Sequence, residues 1–484
     1  MKYITFKQSY IYELNTRIFC LENRCTLAEF PESFFESPEI RAADYIRRMG
    51  IWEPSPASVN IASKHEGLRK DFKTILPDLK ENEIIGSPYA IYRYRPNPLC
   101  AKSFEEIQIF RDRLQAMGKK LILDFVPNHM AVDTPLLDTH PGLFLQKNGP
   151  ACRNSFERNG KVFYHGKDPY FDGWTDTVQW DFSNPETLAF HKKILGEIAS
   201  VCDGVRCDMA MLPLIDIFEK THGKKAKPYW TDLIQSVKLG HPKFIFIAEV
   251  YWNLEYHLQT LGFDYTYDKT LYDRLKEKNL REILGHLNAD PGFQEKSLRF
   301  IENHDEQRAY ATFAQDSVSD FSLLCFLPGM ILYHDGQDLG VEYKVPVQLS
   351  RIPDEEVKSE ILAYYIRAFR AIASRKEKKL KIHHNHLHPY GEYDLSDVVS
   401  YTLVEDTNDP HLEILIYNFY PHEIKGRLEI DDEILEKLDR NGIHDIRFID
   451  VSSEAHYIRS IDDLMRYGLY IHLMPGQVHW FVKE

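Results

Sequence analysis

Short apolar runs recur along most of the chain, many ending in a charged or polar residue and followed by a helical pattern. The clearest are Leu121–Val126 (LILDFV), Gly204–Met209 (GVRCDM), Lys243–Val250 (KFIFIAEV) and Ser297–Asp305 (SLRFIENHD). Near-continuous apolar runs of this length fit parallel strands buried on both faces. Weaker runs fill the gaps: Tyr10–Leu21, Met49–Trp52, Gly262–Tyr267 and Gly329–His334. Between them lie helical patterns. In Ser103–Met117 the apolar residues Phe104, Ile107, Phe110, Leu114 and Met117 recur at steps of three and four, and Gly118 supplies a stop. Another helix starts at Asn184, with Pro185 in its first turn.

Eight strands alternating with helices predict an α/β chain folded as a TIM (β/α)₈ barrel. A doubly wound sheet shares the alternation, but no glycine-rich phosphate fingerprint follows an early strand. At about 30 residues per unit, the stretch from Asp124 to Asp208 carries an excess of roughly 45 residues. That excess, 129–178, is rich in Gly, Pro, Asn, Asp and aromatics, and reads as an irregular insertion after strand 3 that walls the mouth of the barrel. Beyond Leu380 the pattern becomes short alternating segments, Ser400–Val404, Leu412–Phe419, Ile446–Val451 and Val478–Val482. The expected organisation is a catalytic barrel over 1–380 and a small antiparallel, β-sandwich-like C-terminal domain over 381–484.

Composition narrows the partners. A formal charge of −14 opposes binding to a phosphate backbone, so no nucleic acid is expected. The segment Met1–Tyr12 lacks the apolar block of a signal peptide, and no uncharged run is long enough to span a bilayer. No membrane association and a cytoplasmic location are therefore expected. Seven cysteines without CxxC pairs argue against a disulfide framework or a zinc site. Cys207 has no identifiable base and reads as small apolar filler.

Strands of a TIM barrel present their C-terminal residues to one shared pocket. The four strong runs deliver Asp124, Asn128 and His129; Arg206 and Asp208; Glu249; and Asn303, His304 and Asp305. A single strand-end carboxylate is more often a helix cap or an ion-pair partner, but four polar clusters in order are not explained that way. Carboxylates converging without metal-type histidine clusters point to glycosyl chemistry, in which one acid protonates the leaving oxygen and one carboxylate attacks the anomeric carbon. Arg206 lies two residues before Asp208, on the same face of its strand, and should keep it ionised.

The four clusters resemble, in order, the four signature segments of the α-amylase family of glycoside hydrolases: DFVPNH (Asp124–His129), GVRCDMA (Gly204–Ala210), FIAEVY (Phe246–Tyr251) and FIENHD (Phe300–Asp305). The resemblance implies Asp208 as nucleophile, Glu249 as acid and base, and Asp305 as the residue that holds sugar hydroxyls. It further implies that His129 and His304 bond the sugar before the cleavage point. GSPYAIYRY (Gly86–Tyr94) resembles the family's stretch before the third strand and makes Tyr89 the stacking platform, with Tyr92 and Tyr94 as alternatives. Met211 and Leu212 stand where many family members place Lys and His, which implies a less polar acceptor side. Asn128 matches a calcium ligand of many amylases, but the insertion is short, and neither structural calcium nor another cofactor is expected. The segment Gly166–Asn184 packs five aromatics that suit either sugar stacking or anchoring of the insertion. No comparable cluster marks the C-terminal region, which reads as structural cover.

The implied function is a retaining α-glycosidase acting on maltodextrin-like or small α-glucoside substrates through a covalent glycosyl-enzyme intermediate. Two readings compete: a transglycosylase or trehalose- or sucrose-processing relative, and a non-catalytic carbohydrate-binding protein.

Overall fold

A computed structural model describes residues 3–407 and 409–484. Eight parallel strands close on themselves: β1 (Gln8–Asn15), β2 (Tyr45–Met49), β3 (Lys120–Phe125), β4 (Gly204–Cys207), β5 (Ile245–Ala248), β6 (Tyr265–Tyr267), β7 (Ser297–Arg299) and β8 (Gly329–His334). The register runs without a break from β3 beside β4 round to β8 beside β1. Ile122, Leu123, Val205, Phe246, Ile247 and Leu298 are buried, as the near-continuous apolar runs require. The expected helices form as Phe104–Ala116 and Pro185–Val201, the second capped by the Asn184 side chain on the Glu186 amide.

Two expected strands are displaced, each for a local reason. The run Tyr10–Leu21 is not one strand, because Asn15 caps the amide of Arg17 and starts helix α1 (Thr16–Asn23). Met49–Trp52 is not the second barrel strand, which lies upstream at Tyr45–Met49 and carries two fully buried arginines, Arg47 and Arg48, inside an otherwise apolar core. Gly50 ends it at φ +81°, and a Cβ there would meet Arg17 at 2.9 Å. Trp52–Pro54 pairs instead with Ile91–Pro96. Three of the strong runs stop being strand before Asp208, Glu249 and Asp305, so those ends project beyond the sheet, whereas Asp124 lies within β3.

The insertion follows β3 and is pinned by His129–Ala131 pairing with Thr177–Gln179. It also carries a small sheet of Gln146–Lys147, Lys161–Tyr164 and Ser155–Arg158. Past the barrel, antiparallel strands Leu380–His384, Val398–Glu405, Leu412–Asn418, Val478–Lys483, Asp445–Asp450 and His456–Ser460 form one sheet, joined at its edge by Ile4–Thr5. A second sheet of Leu387–Pro389, Ile424–Leu428 and Leu469–Leu473 accompanies it. Among the described residues, no helix is long and apolar enough to cross a membrane.

Barrel and C-terminal sheet meet at a buried charge. Arg375, just past the helix Ser359–Ser374, donates through Nε and Nη2 to the two carboxylate oxygens of Glu413 at 2.8 and 2.7 Å. Trp480 Nε1 donates to the same carboxylate at 2.7 Å. Removing one partner of a buried ion pair strands the other and costs about 3–5 kcal/mol. Glu413→Ala is therefore expected to lower the guanidinium midpoint of unfolding by that order, with Glu413→Gln, which can still accept from Arg375 and Trp480, losing less. Equal midpoints for wild type and Glu413→Ala would remove this clamp from the account.

Candidate active site

One side chain organises the mouth of the barrel. Arg206, fully buried on β4, donates from Nη1 to Asp208 Oδ1 at 2.7 Å. Its Nη2 lies 2.7 Å from Glu249 Oε2, off the N–H direction, so that contact is ionic. Asp305 Oδ2 is 3.8 Å from the same Nη2, and Asp124 Oδ1 is 4.0 Å from Nη1. Arg206 and Asp208 share a face because side chains alternate along the strand end. Glu249 is held further by the amide of Met209, donating to Oε2 at 2.6 Å, and by the Tyr251 hydroxyl, donating to Oε1 at 2.8 Å. Met209 adopts φ +43°, a left-handed conformation uncommon for a side chain of its size, which aims that amide at Glu249.

The histidine beside Asp305 is equally constrained. His304 Nδ1 lies 2.6 Å from Glu13 Oε1, and its Nε2 is 3.0 Å from Asp305 Oδ2 and 2.5 Å from the Tyr89 hydroxyl. The rings of Tyr89 and His304 stack with centroids 5.6 Å apart, and the Arg206 guanidinium sits 5.3 Å from the centre of the Tyr89 ring. Tyr89 thus joins the catalytic cluster, whereas Tyr94 is spent on the backbone of Val126. His129 is buried beside this group, hydrogen-bonded to the backbone of Tyr89 and packed on Trp174 at 5.3 Å. A cavity of about 90 Å³ adjoins His304, lined among others by Asn15, Phe19, Glu22, Arg308 and Lys344.

Proximity sets the electrostatics. Burial, followed by the charge of Glu249, pushes the Asp208 carboxyl up to about 7 against the pull of Arg206. Below that step Asp208 holds a proton, so the expectation that Arg206 keeps it ionised is corrected: burial and the neighbouring Glu249 charge outweigh the guanidinium. Burial also raises Asp305, but the charge and hydrogen bond of His304, then Arg206 and Lys344, outweigh it and hold Asp305 well below the carboxylate range. Burial drives His129 down to about 4, so it is neutral at pH 7.

The structure brings together Asp208, Glu249, Asp305, Arg206, His304 and Tyr89, with His129 behind Tyr89. It corrects the expectation for Met211 and Leu212. Both are buried in the core and line no acceptor side, because the turn after Asp208 folds them under Trp230, whose Nε1 bonds the Ala210 carbonyl. The exposed groups near Glu249 are aromatic. Trp252, in the same turn as Tyr251, packs edge-on against Tyr170 of the insertion at 5.1 Å, and Phe171 beside it is 71% exposed. The aromatics of Gly166–Asn184 therefore divide: Tyr170 and Phe171 face out, while Trp180 and Phe182 anchor the insertion in the core. Asn128 Oδ1 accepts from Gln179 Nε2 at 3.0 Å. No cluster of three or more His, Cys, Asp or Glu among the described residues is arranged for a metal.

Sequence reasoning missed Glu13, Arg47 and Tyr251. Arg47 donates to Asp124 Oδ1 from Nη2 at 2.8 Å and to the Tyr267 hydroxyl at 3.0 Å, and it also bonds Glu13 Oε2. A charged residue within the expected run Tyr10–Leu21 was the available signal for Glu13, whereas Arg47 lay outside every expected strand.

No family model matches the chain, and no curated protein matches it. Solved structures do. A noncanonic maltogenic α-amylase from Thermotoga neapolitana aligns at TM-score 0.64 and 19% identity over 98% of each chain. An α-amylase from Lactobacillus plantarum aligns at 0.63 and 16%, again over 98% of each. A debranching enzyme from Nostoc punctiforme, soaked with acarbose, aligns at 0.63 and 13% over 99% of this chain and all of its own. At these identities the likeness establishes a shared fold along the whole chain.

The raised Asp208 carboxyl makes a measurable demand. Carboxyl ¹³C NMR should show Asp208 titrating at about 7. In Glu249→Gln, which removes the neighbouring negative charge, the step should move to lower pH. An Asp208 signal that titrates in the ordinary carboxylate range in the wild type would exclude this balance of burial and charge.

Proposed function

We propose that this chain is a retaining enzyme of the α-amylase family, cleaving α-glucosidic bonds of maltodextrin-like or small α-glucoside substrates. The observation that carries the reading is Arg206 holding Asp208 and Glu249 on its two terminal nitrogens. Retaining glycosidases need their two carboxyls about 5–5.5 Å apart, close enough for one to attack directly, and a common guanidinium draws both carboxylates toward one point. The whole-length likeness to α-amylase and debranching-enzyme folds supports the substrate class.

The chemistry follows from the geometry. An Asp208 oxygen attacks the anomeric carbon while the glycosidic C–O bond breaks and its oxygen takes the proton from Glu249. That leaves a β-glycosyl ester on Asp208 and a carboxylate at 249. Glu249 then takes a proton from the incoming hydroxyl, whose oxygen displaces Asp208 and restores the α configuration. Asp305 and His304 hold the hydroxyls of the distorted sugar, with Tyr89 under its ring. In the first step the Tyr251 hydroxyl must yield Glu249 Oε1, because that oxygen is the one not already covered by the Met209 amide.

A second reading is favoured by one feature. The exposed rings of Tyr170 and Phe171, with the partly buried Trp252 packed on Tyr170, offer a stacking surface for a sugar acceptor, which suits transfer as well as hydrolysis. A non-catalytic, carbohydrate-binding reading has to account for three retained carboxylates packed at the energetic cost of burial, and nothing supports it.

Asp208→Asn is expected to lose several orders of magnitude in kcat while still binding sugar, measured by single-turnover kinetics and calorimetry with maltotriose. Initial products followed by NMR should carry the α-anomer; an initially β-configured product would sink the retaining mechanism. In the same assay, oligomers longer than maltotriose indicate transfer, and glucose with maltose alone indicates hydrolysis. Asp208 must be ionised to attack, so kcat/KM should fall about tenfold per pH unit below about 7. A profile flat from pH 6 to 9 would contradict that assignment.

A further inference from the structure

His304 has a carboxylate at each end of its ring. Nδ1 faces Glu13 Oε1 at 2.6 Å, and the same oxygen accepts the His304 amide at 3.1 Å. Nε2 faces Asp305 Oδ2 at 3.0 Å. A neutral imidazole can donate from only one nitrogen, so with a carboxylate at each the ring satisfies both by carrying two protons. Glu13 has no freedom to turn away. It is fully buried on β1, and Arg47, fully buried on β2, grips its other oxygen while also holding Asp124 and Tyr267.

We propose that Glu13, locked by Arg47, is a positioning residue that keeps His304 as an imidazolium cation, able to donate to a sugar oxygen but not to accept from one. Neither Glu13 nor Arg47 touches the substrate in this arrangement. The kinetic arm of the test rests on the glycosidase reading; the spectroscopic arm does not.

The surroundings of His304 support the assignment. Besides Glu13 and Asp305, it faces the Tyr89 hydroxyl; Arg206 lies 3.8 Å from Asp305, and Glu22, Arg308, His334, Asp335 and Lys344 line the adjoining cavity. Burial alone would discharge the ring, but the two carboxylates reverse that effect and raise it to about 9. His129 shows the opposite outcome in the same pocket, buried without a carboxylate and held down to about 4. A charged donor at 304 also fixes the direction of every hydrogen bond around the sugar. Asp305 accepts and His304 donates, so a hydroxyl placed between them has one orientation only.

The test is ¹⁵N NMR of the unliganded full-length protein, with the His304 signals assigned by their loss in His304→Gln. At pH 7 both ring nitrogens should be protonated, with a midpoint near 9. In Glu13→Gln, which keeps the shape and removes the charge, the midpoint should fall by at least about one pH unit, a tenfold change in proton affinity. KM for maltotriose should then rise more at pH 8 than at pH 6, and Glu13→Asp, which restores the charge, should recover part of the loss. A purely structural role would weaken both pH values alike. A singly protonated His304 in the wild type at pH 7 overturns the proposal even where Glu13→Gln fails to fold. So does a folded Glu13→Gln with an unmoved midpoint. If maltotriose is not turned over at all, the glycosidase reading fails while the spectra still decide the charge of His304.

Discussion

The mouth of this barrel depends on holding five carboxylates, four of them buried, around two guanidinium groups. Arg206 faces Asp208, Glu249 and Asp305, Arg47 faces Glu13 and Asp124, and all but Asp305, which is 42% exposed, lie where water does not reach freely to screen them. A buried carboxylate with no cation neutralises or drives unfolding, so the two arginines are conditions for the cluster to exist. Their placement is a property of the barrel. Adjacent parallel strands bring Arg47 and Arg206 onto the same interior face, flanking β3 and Asp124.

That arrangement explains how much could be read in advance. Asp208, Glu249 and Asp305 were legible because each lies in the polar end of an apolar run, within a segment that resembles a family signature. Arg206 was legible because it lies two residues from Asp208, the spacing that shares a strand face. Arg47 and Glu13 were hidden by the same rule that revealed the others. An expected buried strand is apolar, so YIRRM did not read as a strand, and the second barrel strand was sought four residues downstream. The charges are tolerated there for unlike reasons: Arg47 points inward to carboxylates, while Arg48 points outward, where the rings of Phe30, Phe34 and Phe110 lie 4.2–4.7 Å from its guanidinium.

The boundaries that sequence missed have capping causes. Asn15 looks like any strand residue until its side chain is seen on the amide of Arg17, and Gly50 matters because its φ is positive and Arg17 fills the space a Cβ would need. Met211 and Leu212 show the limit of aligning a site by motif. Their position after Asp208 places them in the signature segment, yet the left-handed turn at Met209 folds them into the core. Side-chain direction after a turn is set by φ and ψ at one residue, and no periodicity carries that information past it.

The balance of charge around the cleavage point has a consequence for what the site can stabilise. Arg47, Arg206 and a cationic His304 offset three of the five carboxylates. The pocket is left with a residual negative charge in a setting of low dielectric, where an oppositely charged group interacts strongly. A neutral sugar gains little from that field, while the positive charge that develops at the anomeric carbon as the glycosidic bond breaks gains much. The field is thus stronger for the transition state than for the bound substrate, which is the condition for an interaction to raise kcat rather than merely lower KM. It also disfavours any substrate that brings a carboxylate or phosphate into the same pocket, so the charge count that supports cleavage also selects for uncharged sugars.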